Sequence, residues 1–378
     1  MSSKRRVTVL QISHDYLGPF VGVCRQFNYA FSAGKCSTIY LRGEQSEEVT
    51  RETGGDSVIF FDNREGSLRG FKIKTLLRLA AHLRKNSPDI IIAHRYKALY
   101  LAGVMSYFFP RLLVIGVIHE HGVFKRLHRR LFLGIWCRNI KVLAVSETVK
   151  NDIARYCPFL EKDKRLHVQN NVLDHERYEP GILSREDARA YLGLGAQEII
   201  IGTLGRLVRK KDHGELIRAI ALINQPARCV IVGEGPMKAE LEGLVASLQL
   251  QERVLFTGHV RNAYKYIRAF DLFVLCSRKE EAFGFVLLEA MLAQVPVLTS
   301  NCSGPMEVMG DCGYYYAKGS SEDLAVKVMY ILGKEETEIS DMASSAYNRL
   351  VEKFSFNAFG KSLLSIPFVK SKTERFGE

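Results

Sequence analysis

No C-x-x-C pair occurs among the eight cysteines, Cys24, Cys36, Cys137, Cys157, Cys229, Cys276, Cys302 and Cys312. They are scattered, and several sit in apolar runs, as Cys229 does in RCVIVG and Cys276 in FVLCS. That usage excludes a zinc ribbon or a disulfide framework and predicts reduced core thiols in a cytosolic protein. Long apolar runs are lacking too. The longest, Tyr100 to Ile118, is interrupted by Pro110 and Arg111, so it predicts a helix, a turn and a buried strand instead of a membrane span. The first residues pass from the basic triplet Lys4-Arg5-Arg6 straight into VTVLQIS with no apolar leader core, which predicts no secretory signal. Internal repeats and low-complexity tracts are absent as well, which excludes a repeat array.

What is present is a globular composition, 47% hydrophobic and 25% charged, over 378 residues. That length exceeds one ordinary core and suits two α/β domains. In the first half RVTVLQIS, CSTIYL, SVIFF, DIIIAH, LLVIGVIHEH, VLAVS and RLHVQNN read as strands. In the second half QEIIIGTLGRL, RCVIVGEG, RVLFTGH, DLFVLCS, VPVLTSN and GYYYA do the same. Nearly all are continuous Val/Ile/Leu runs, the pattern of strands covered on both faces in parallel sheets. Helical patterns such as DHGELIRAIALIN and MKAELEGLVASLQL alternate with them. The expectation is two doubly wound parallel-sheet domains, residues 1–170 and 171–354, joined through the polar stretch 171–198. A C-terminal helix over 355–378 is expected to pack back on the first.

The net charge of +12 is unevenly spread. Residues 1–180 hold 29 Lys+Arg and 17 Asp+Glu, whereas residues 181–378 hold 24 of each. An anionic partner for the first half follows from this asymmetry.

The stretch SRKEEAFGFVLLEAML, residues 277–292, places Glu281 just before a Phe283-Gly284-Phe285 turn and Glu289 inside the following helix. The first amides of a helix lack intrahelical acceptors and, with the dipole, form an anion site. Gly284, without a Cβ, permits close approach of a ligand. Side chains lean toward a helix N-terminus, and five residues rise roughly 7–8 Å, so Glu289 can hold a ribose diol while the helix mouth holds a phosphate. Glu281 then faces hydroxyls on the other side. The alternative, two solvated glutamates beside a cap, fits Glu289 poorly among apolar FVLLEAML, where a lone carboxylate is costly. In GTLGRLVRKKDHGELIRAI, Arg206 and Lys211 follow a strand's carboxyl end and suit a pyrophosphate. Arg209 and Lys210 read as solvated. VGEGP, residues 232–236, is by itself a common structural joint.

Taken in order, G-R-L-x-x-x-K at 205–211, V-G-x-G-P at 232–236, RVLFTGHV at 253–260, E-x-F-G-x-x-L-L-E-A-M at 281–291 and SGPMEV at 303–308 resemble the retaining glycosyltransferases of family four, with the GT-B fold. The resemblance implies two Rossmann-like domains facing a central cleft. The N-terminal one would bind the acceptor and the C-terminal one the nucleotide sugar. It implies that Glu281 contacts donor-sugar hydroxyls, that the amides around Phe283, Gly284 and Phe285 meet sugar and phosphate, and that Glu289 holds the ribose. Arg206 and Lys211 would stabilise the departing diphosphate. The family's glycine-rich loop after strand one corresponds to GPFVGVCRQFNYA, with Gly22 nearest the phosphate. The family's active-site histidine corresponds to His119 in VIHEHG, with His121 as its rival. Asn171 would replace, in left-handed backbone, the glycine of the relatives' interdomain turn.

The same resemblance implies retention of anomeric configuration. No Asp-x-Asp triplet occurs, and the basic pair supplies the cation, so no metal and no other cofactor is expected. The segment FKRLHRRLFLGIWCRN, from Phe124 to Asn139, carries Lys125, Arg126, Arg129 and Arg130 beside an apolar helical face. A second basic stretch runs from Arg69 to Lys85. Either could rest on an anionic bilayer or recognise phosphorylated headgroups; two ordinary helices with solvated bases are the alternative. The expected protein is a cytoplasmic, membrane-peripheral enzyme that moves a hexose from a UDP-sugar, or next a GDP-sugar, to a lipid-linked or lipopolysaccharide-core glycan. The enzymatic rival is a GT-B-fold nucleotide-sugar epimerase. A basic nucleic-acid-binding protein is the rival of another class, and it lacks a recognisable recognition module.

Overall fold

The computed structural model describes residues 6–63, 72–136, 139–278 and 281–374. The chain divides into two units, one of Met1–Val172 with Phe356–Glu378, the other of Leu173–Ser355. In the first unit the strands are β1 Thr8–Ser13, β2 Lys35–Tyr40, β3 Ser57–Phe60, β4 Ile90–His94, β5 Leu113–Ile118, β6 Lys141–Ala144 and β7 Leu166–Val168. They form one parallel sheet in the order β3-β2-β1-β4-β5-β6-β7. In the second unit β8 Ile199–Leu204, β9 Ala227–Val232, β10 Val254–Gly258, β11 Leu272–Leu275, β12 Val297–Ser300 and β13 Tyr314–Tyr316 form a parallel sheet in the order β10-β9-β8-β11-β12-β13.

Every apolar run read as a strand in the sequence overlaps one of these strands. The reason is burial on both faces. Ile90, Ile91 and Ile92 of β4 and Leu272, Phe273 and Val274 of β11 are inaccessible to solvent, a placement that alternating strands could not tolerate. The interrupted run 100–118 forms the end of the helix Arg95–Phe108, a turn, and β5. Both strand orders reverse direction next to the first strand, between β1 and β4 and between β8 and β11. Connections leave these neighbours toward opposite sides, so the carboxyl ends of β1, β4, β8 and β11 are where ligands sit in such sheets.

The helix Arg185–Leu192 is fastened to the second sheet by a buried arginine. The Arg189 guanidinium donates to Ala269 O at 3.0 Å, Gly195 O at 3.0 Å, Glu198 O at 2.9 Å and Asp271 Oδ2 at 2.8 Å. Asp271 also accepts from the amide of Ile200 at 2.7 Å and pairs with Arg185. The C-terminal segment is two helices, Phe356–Ser365 and Pro367–Glu374, because Pro367 starts a new one. Phe359 packs edge-on against Phe27 at 4.9 Å, and Lys372 reaches Arg111 O.

Two expectations need correction. The Phe124–Asn139 segment is not one amphipathic helix. A single turn at Val123–Lys125 is followed by extended Arg126, then by Leu127–Leu131 and a wider turn at Phe132–Trp136. Phe124 and Leu133 are buried, while Leu127, Leu131 and Ile135 face solvent. Asn171 does not take left-handed φ; it is buried, with Oδ1 unpartnered. Arg69 at the start of the second basic stretch, Cys137, Arg138 and residues 375–378 lie outside the described residues.

Candidate active site

The second unit assembles most of the residues singled out above at the reversal between β8 and β11. Arg206 follows β8 and is exposed. Lys211 ends the short turn Arg209–Lys211, which is tied to the far side of the reversal by Arg278 N donating to Lys210 O at 3.2 Å. Lys211 Nζ donates to Glu281 Oε2 at 2.7 Å, with both side chains only 14% exposed. Arg209 and Lys210 are exposed. VGEGP has a packing role here. A Cβ on Gly233 would stand 2.0 Å from Gly205 O, and one on Gly235 would stand 2.4 Å from Leu207 O. These glycines let the turn carrying Arg206 lie against its neighbour.

The helix behind Glu281 runs Phe285–Leu292 and is capped by Gly284 at φ 95°, a conformation that a side chain would strain. No side chain caps this end. Leu287 N turns back to Gly284 O, but the amides of Phe285 and Val286 have no acceptor among the described residues. They form the open donor end expected of an anion site. Phe283 is buried edge-on between Phe285 and Phe354, which holds the turn rigid. Glu289 retains some exposed surface, yet its carboxyl is enclosed deeply enough that burial pushes its pKa up to about 7. It has no hydrogen-bond partner among the described residues.

In the first unit His119 follows β5 and lies against His94, the last residue of β4, with His119 Nε2 and His94 Nδ1 3.4 Å apart. Phe20 packs edge-on against it at 5.1 Å. Burial, then His94 and Arg95, keep the His119 pKa well below its ordinary value. His121 Nε2 is buried without a partner. Gly22 corrects the loop expectation. Pro19, with φ −78°, initiates the helix Phe20–Ala30, and Gly22 lies in its first turn with open space where a Cβ would point.

The four basic candidates separate into two pairs. Lys125 and Arg126 are exposed. Arg129 instead donates to Val123 O at 3.0 Å and stacks on Tyr96, and Arg130 donates to Phe124 O and Lys125 O. These two brace the preceding turn.

Sequence reasoning missed Gln11, Asn28, His94, Asp15 and Arg95. Gln11, a polar residue inside the apolar run TVLQIS, was a visible signal. Arg95 holds φ at 67° and lays its guanidinium over Phe20 at 4.0 Å, 3.5 Å from Asp15 Oδ2. Nothing in local spacing marks that strain. Among the described residues no group of three His, Cys, Asp or Glu side chains could hold a metal ion.

The model for Glycosyltransferase Family 4 matches residues 38–177, and that for Glycosyl transferases group 1 matches residues 184–349, the segment that carries Arg206, Lys211, Glu281 and Glu289. The chain belongs to the group 1 glycosyltransferases. Its pair of Rossmann-like units is the GT-B fold. The structure of HepE from Anabaena in complex with UDP and glucose superposes with TM-score 0.78 at 19% identity, over 97% of this chain and 100% of that one. The N-acetyl-alpha-D-glucosaminyl L-malate synthase of Bacillus anthracis is 29% identical over 56% of this chain and 55% of its own length. The N-acetylgalactosamine-N,N'-diacetylbacillosaminyl-diphospho-undecaprenol 4-alpha-N-acetylgalactosaminyltransferase of Campylobacter jejuni is 34% identical over 39% of this chain and 38% of its own length. The match thus spans about half or less of these curated relatives.

Proposed function

We propose that this group 1 family member is a retaining, metal-independent hexosyltransferase. It moves a hexose from a UDP-sugar to a hydroxyl of a lipid-linked glycan. The observation that carries the reading is one helix, Phe285–Leu292, with unclaimed amides at its start and an enclosed, unpartnered Glu289 carboxyl further along. A diphosphate satisfies the first and a ribose diol the second. HepE, which shares the fold, was solved with UDP and glucose.

Breaking the bond from the anomeric carbon to the diphosphate builds negative charge on the leaving oxygen. Arg206 and the helix amides meet that charge without moving, which is preorganised electrostatic stabilisation, and Lys211, paired with Glu281, adds positive charge beside them. Because these cations serve the diphosphate, the reaction needs no divalent ion. Glu281 holds Lys211 in place and takes hexose hydroxyls. Acceptance of the acceptor's proton falls to the departing phosphate, on the face the leaving group vacates.

The acceptor side is the basic first unit. Leu127, Leu131 and Ile135 are 62%, 46% and 59% exposed at four-residue spacing, beside exposed Lys125 and Arg126. Apolar residues flanked by bases suit an anionic membrane surface at its cytoplasmic face. The Campylobacter jejuni relative is named for a lipid-linked acceptor, which agrees with this reading. No helix among the described residues is long and apolar enough to cross a membrane.

A thermal-shift panel of nucleotides and nucleotide sugars tests the donor, since a ligand binding only the folded state raises its stability. UDP-hexoses should give the largest shift. Donor turnover with and without a glycolipid acceptor tests the reaction. Turnover that ignores the acceptor and yields free hexose would replace transfer by epimerase chemistry.

A further inference from the structure

A buried chain of hydrogen bonds in the first unit determines which nitrogen of His119 carries a proton. It starts at Asn28, whose Nδ2 donates to Thr53 O and Gly54 O, both at 3.1 Å. Only the amide nitrogen can face two carbonyls, so Asn28 Oδ1 is left as an acceptor. It accepts from Gln11 Nε2 at 2.6 Å, and Gln11 Nε2 also donates to Cys24 O at 2.8 Å. Both amide protons of Gln11 are thereby used, and its Oε1 meets His94 Nε2 at 2.9 Å. A carbonyl oxygen only accepts, so His94 Nε2 bears a proton.

His94 is fully buried, and that burial, with Arg95 beside it, pushes its pKa down to about 3. The ring is neutral and its Nδ1 is bare. Facing that bare nitrogen at 3.4 Å is His119 Nε2, which must therefore be the donor. His119 is neutral for the same cause, so its Nδ1 is bare, with no partner among the described residues. Asn28, Gln11 and His94 sit on three separate elements, and each is buried.

We propose that Asn28, Gln11 and His94 are positioning residues that lock His119 as a hydrogen-bond acceptor at Nδ1, so that the substrate group it meets is a hydroxyl and not a phosphate or carboxylate oxygen. The relay ends on amides and carbonyls. It contains no carboxylate to stabilise an imidazolium, unlike a Ser-His-Asp arrangement. His119 therefore orients an O–H and does not carry its proton away. The lock is independent of the transferase reading; only the assignment of the hydroxyl to a sugar rests on it.

The test is nitrogen NMR of the full chain carrying 15N-labelled histidine, with His119→Gln used to assign the signals. The expected wild-type result is a protonated Nε2 and a bare Nδ1 for both His94 and His119 at neutral pH. A proton on His119 Nδ1 overturns the proposal. Because no turnover is involved, this outcome is separate from failure of glycosyl transfer. Gln11→Met, which removes the acceptor at similar volume, should give mixed tautomers and lower kcat about 10- to 100-fold. Gln11→Glu sets a carboxylate against His94 Nε2 and should move the His94 signals toward the imidazolium; an unchanged His94 spectrum in this variant would show that position 11 does not govern the ring and would overturn the positioning role. A fall in kcat for Gln11→Met with unchanged tautomers would reduce Gln11 to packing and overturn the positioning role. If the Met variant does not fold, the wild-type tautomers and the His94 signals of the Glu variant still decide. A shift of His119 Nδ1 on adding UDP-glucose but not UDP places the hydroxyl on the donor sugar. A shift appearing only when octyl β-glucoside joins UDP places it on the acceptor. A shift with UDP alone, or none with any of these, overturns the hydroxyl contact.

Discussion

Lys211 and Glu281 lie seventy positions apart in sequence and form a 2.7 Å ion pair across the reversal between β8 and β11. The pair divides the work at the proposed donor site. With Lys211 turned toward Glu281, exposed Arg206 is the cation that can meet a diphosphate first. Glu281→Gln should release Lys211, tighten UDP binding several-fold, and lower kcat because hexose hydroxyls lose a charged acceptor. Calorimetric titration with UDP checks the first part, and weaker UDP binding in the variant would refute it.

Arg206→Ala removes a preorganised cation from the developing charge. Loss of one such donor costs about 10²–10³ in kcat, or roughly 3–4 kcal/mol. Steady-state kinetics should show that fall with the acceptor KM unaltered. An effect limited to acceptor KM would remove Arg206 from the donor site.

Glu289 gives the fold a pH signature. Its pKa is raised from the usual 4.5 to about 7 by burial. Between those values the folded protein holds a proton that the unfolded chain has lost, so stability falls as pH rises through about 7. The carboxyl keeps some exposed surface, so the loss is discounted to about 1–3 kcal/mol. Glu289→Gln should flatten the decline in Tm between pH 5 and pH 8 and weaken UDP-sugar binding. A parallel Tm profile in the variant would show that the carboxyl is solvated.

Asp271→Ala should leave the buried Arg189 with its backbone carbonyl acceptors but without the Asp271 carboxylate. Breaking a buried pair by removing one partner costs about 3–5 kcal/mol. The unit Leu173–Ser355 should then melt about 10 °C lower, whereas the same change at the exposed Glu242 should be silent. Differential scanning calorimetry separates the two.

The membrane proposal is tested at the exposed pair. Reversing Lys125 and Arg126 to Glu should weaken binding to phosphatidylglycerol vesicles, at about 1 kcal/mol for each charge removed. Leu131→Ser with Ile135→Ser should weaken it further. Donor hydrolysis should stay intact in both. Unaltered sedimentation would retire the surface as a docking face. Arg129 and Arg130 are unsuitable probes, since their loss frees backbone carbonyls at Val123, Phe124 and Lys125.

Much of this molecule was legible along the chain. Continuous apolar runs such as DIIIAH and DLFVLC can be buried only in a sheet covered on both faces, so hydrophobic pattern alone located β4, β11 and the rest. The Phe-Gly-Phe turn and the eight-residue spacing of Glu281 and Glu289 were equally readable, because helix rise and glycine conformation are local properties. Helical periodicity failed at Phe124–Asn139, where Phe124 and Leu133 needed burial that no straight helix from Phe124 could provide.

Tertiary structure decided the rest. His94 meets Gln11 across 83 positions because β4 is inserted beside β1, and strand order is set by packing the whole sheet. The same holds for Lys211 with Glu281. Arg129 and Arg130 became braces because nearby carbonyls lacked donors. Sequence by itself determined most of the strands and helices and singled out candidate residues for the chemistry, since those follow from local periodicity and residue type. Only the folded chain chose the partner of each polar group, because a buried donor or acceptor must find its complement among neighbours that distant parts of the sequence supply.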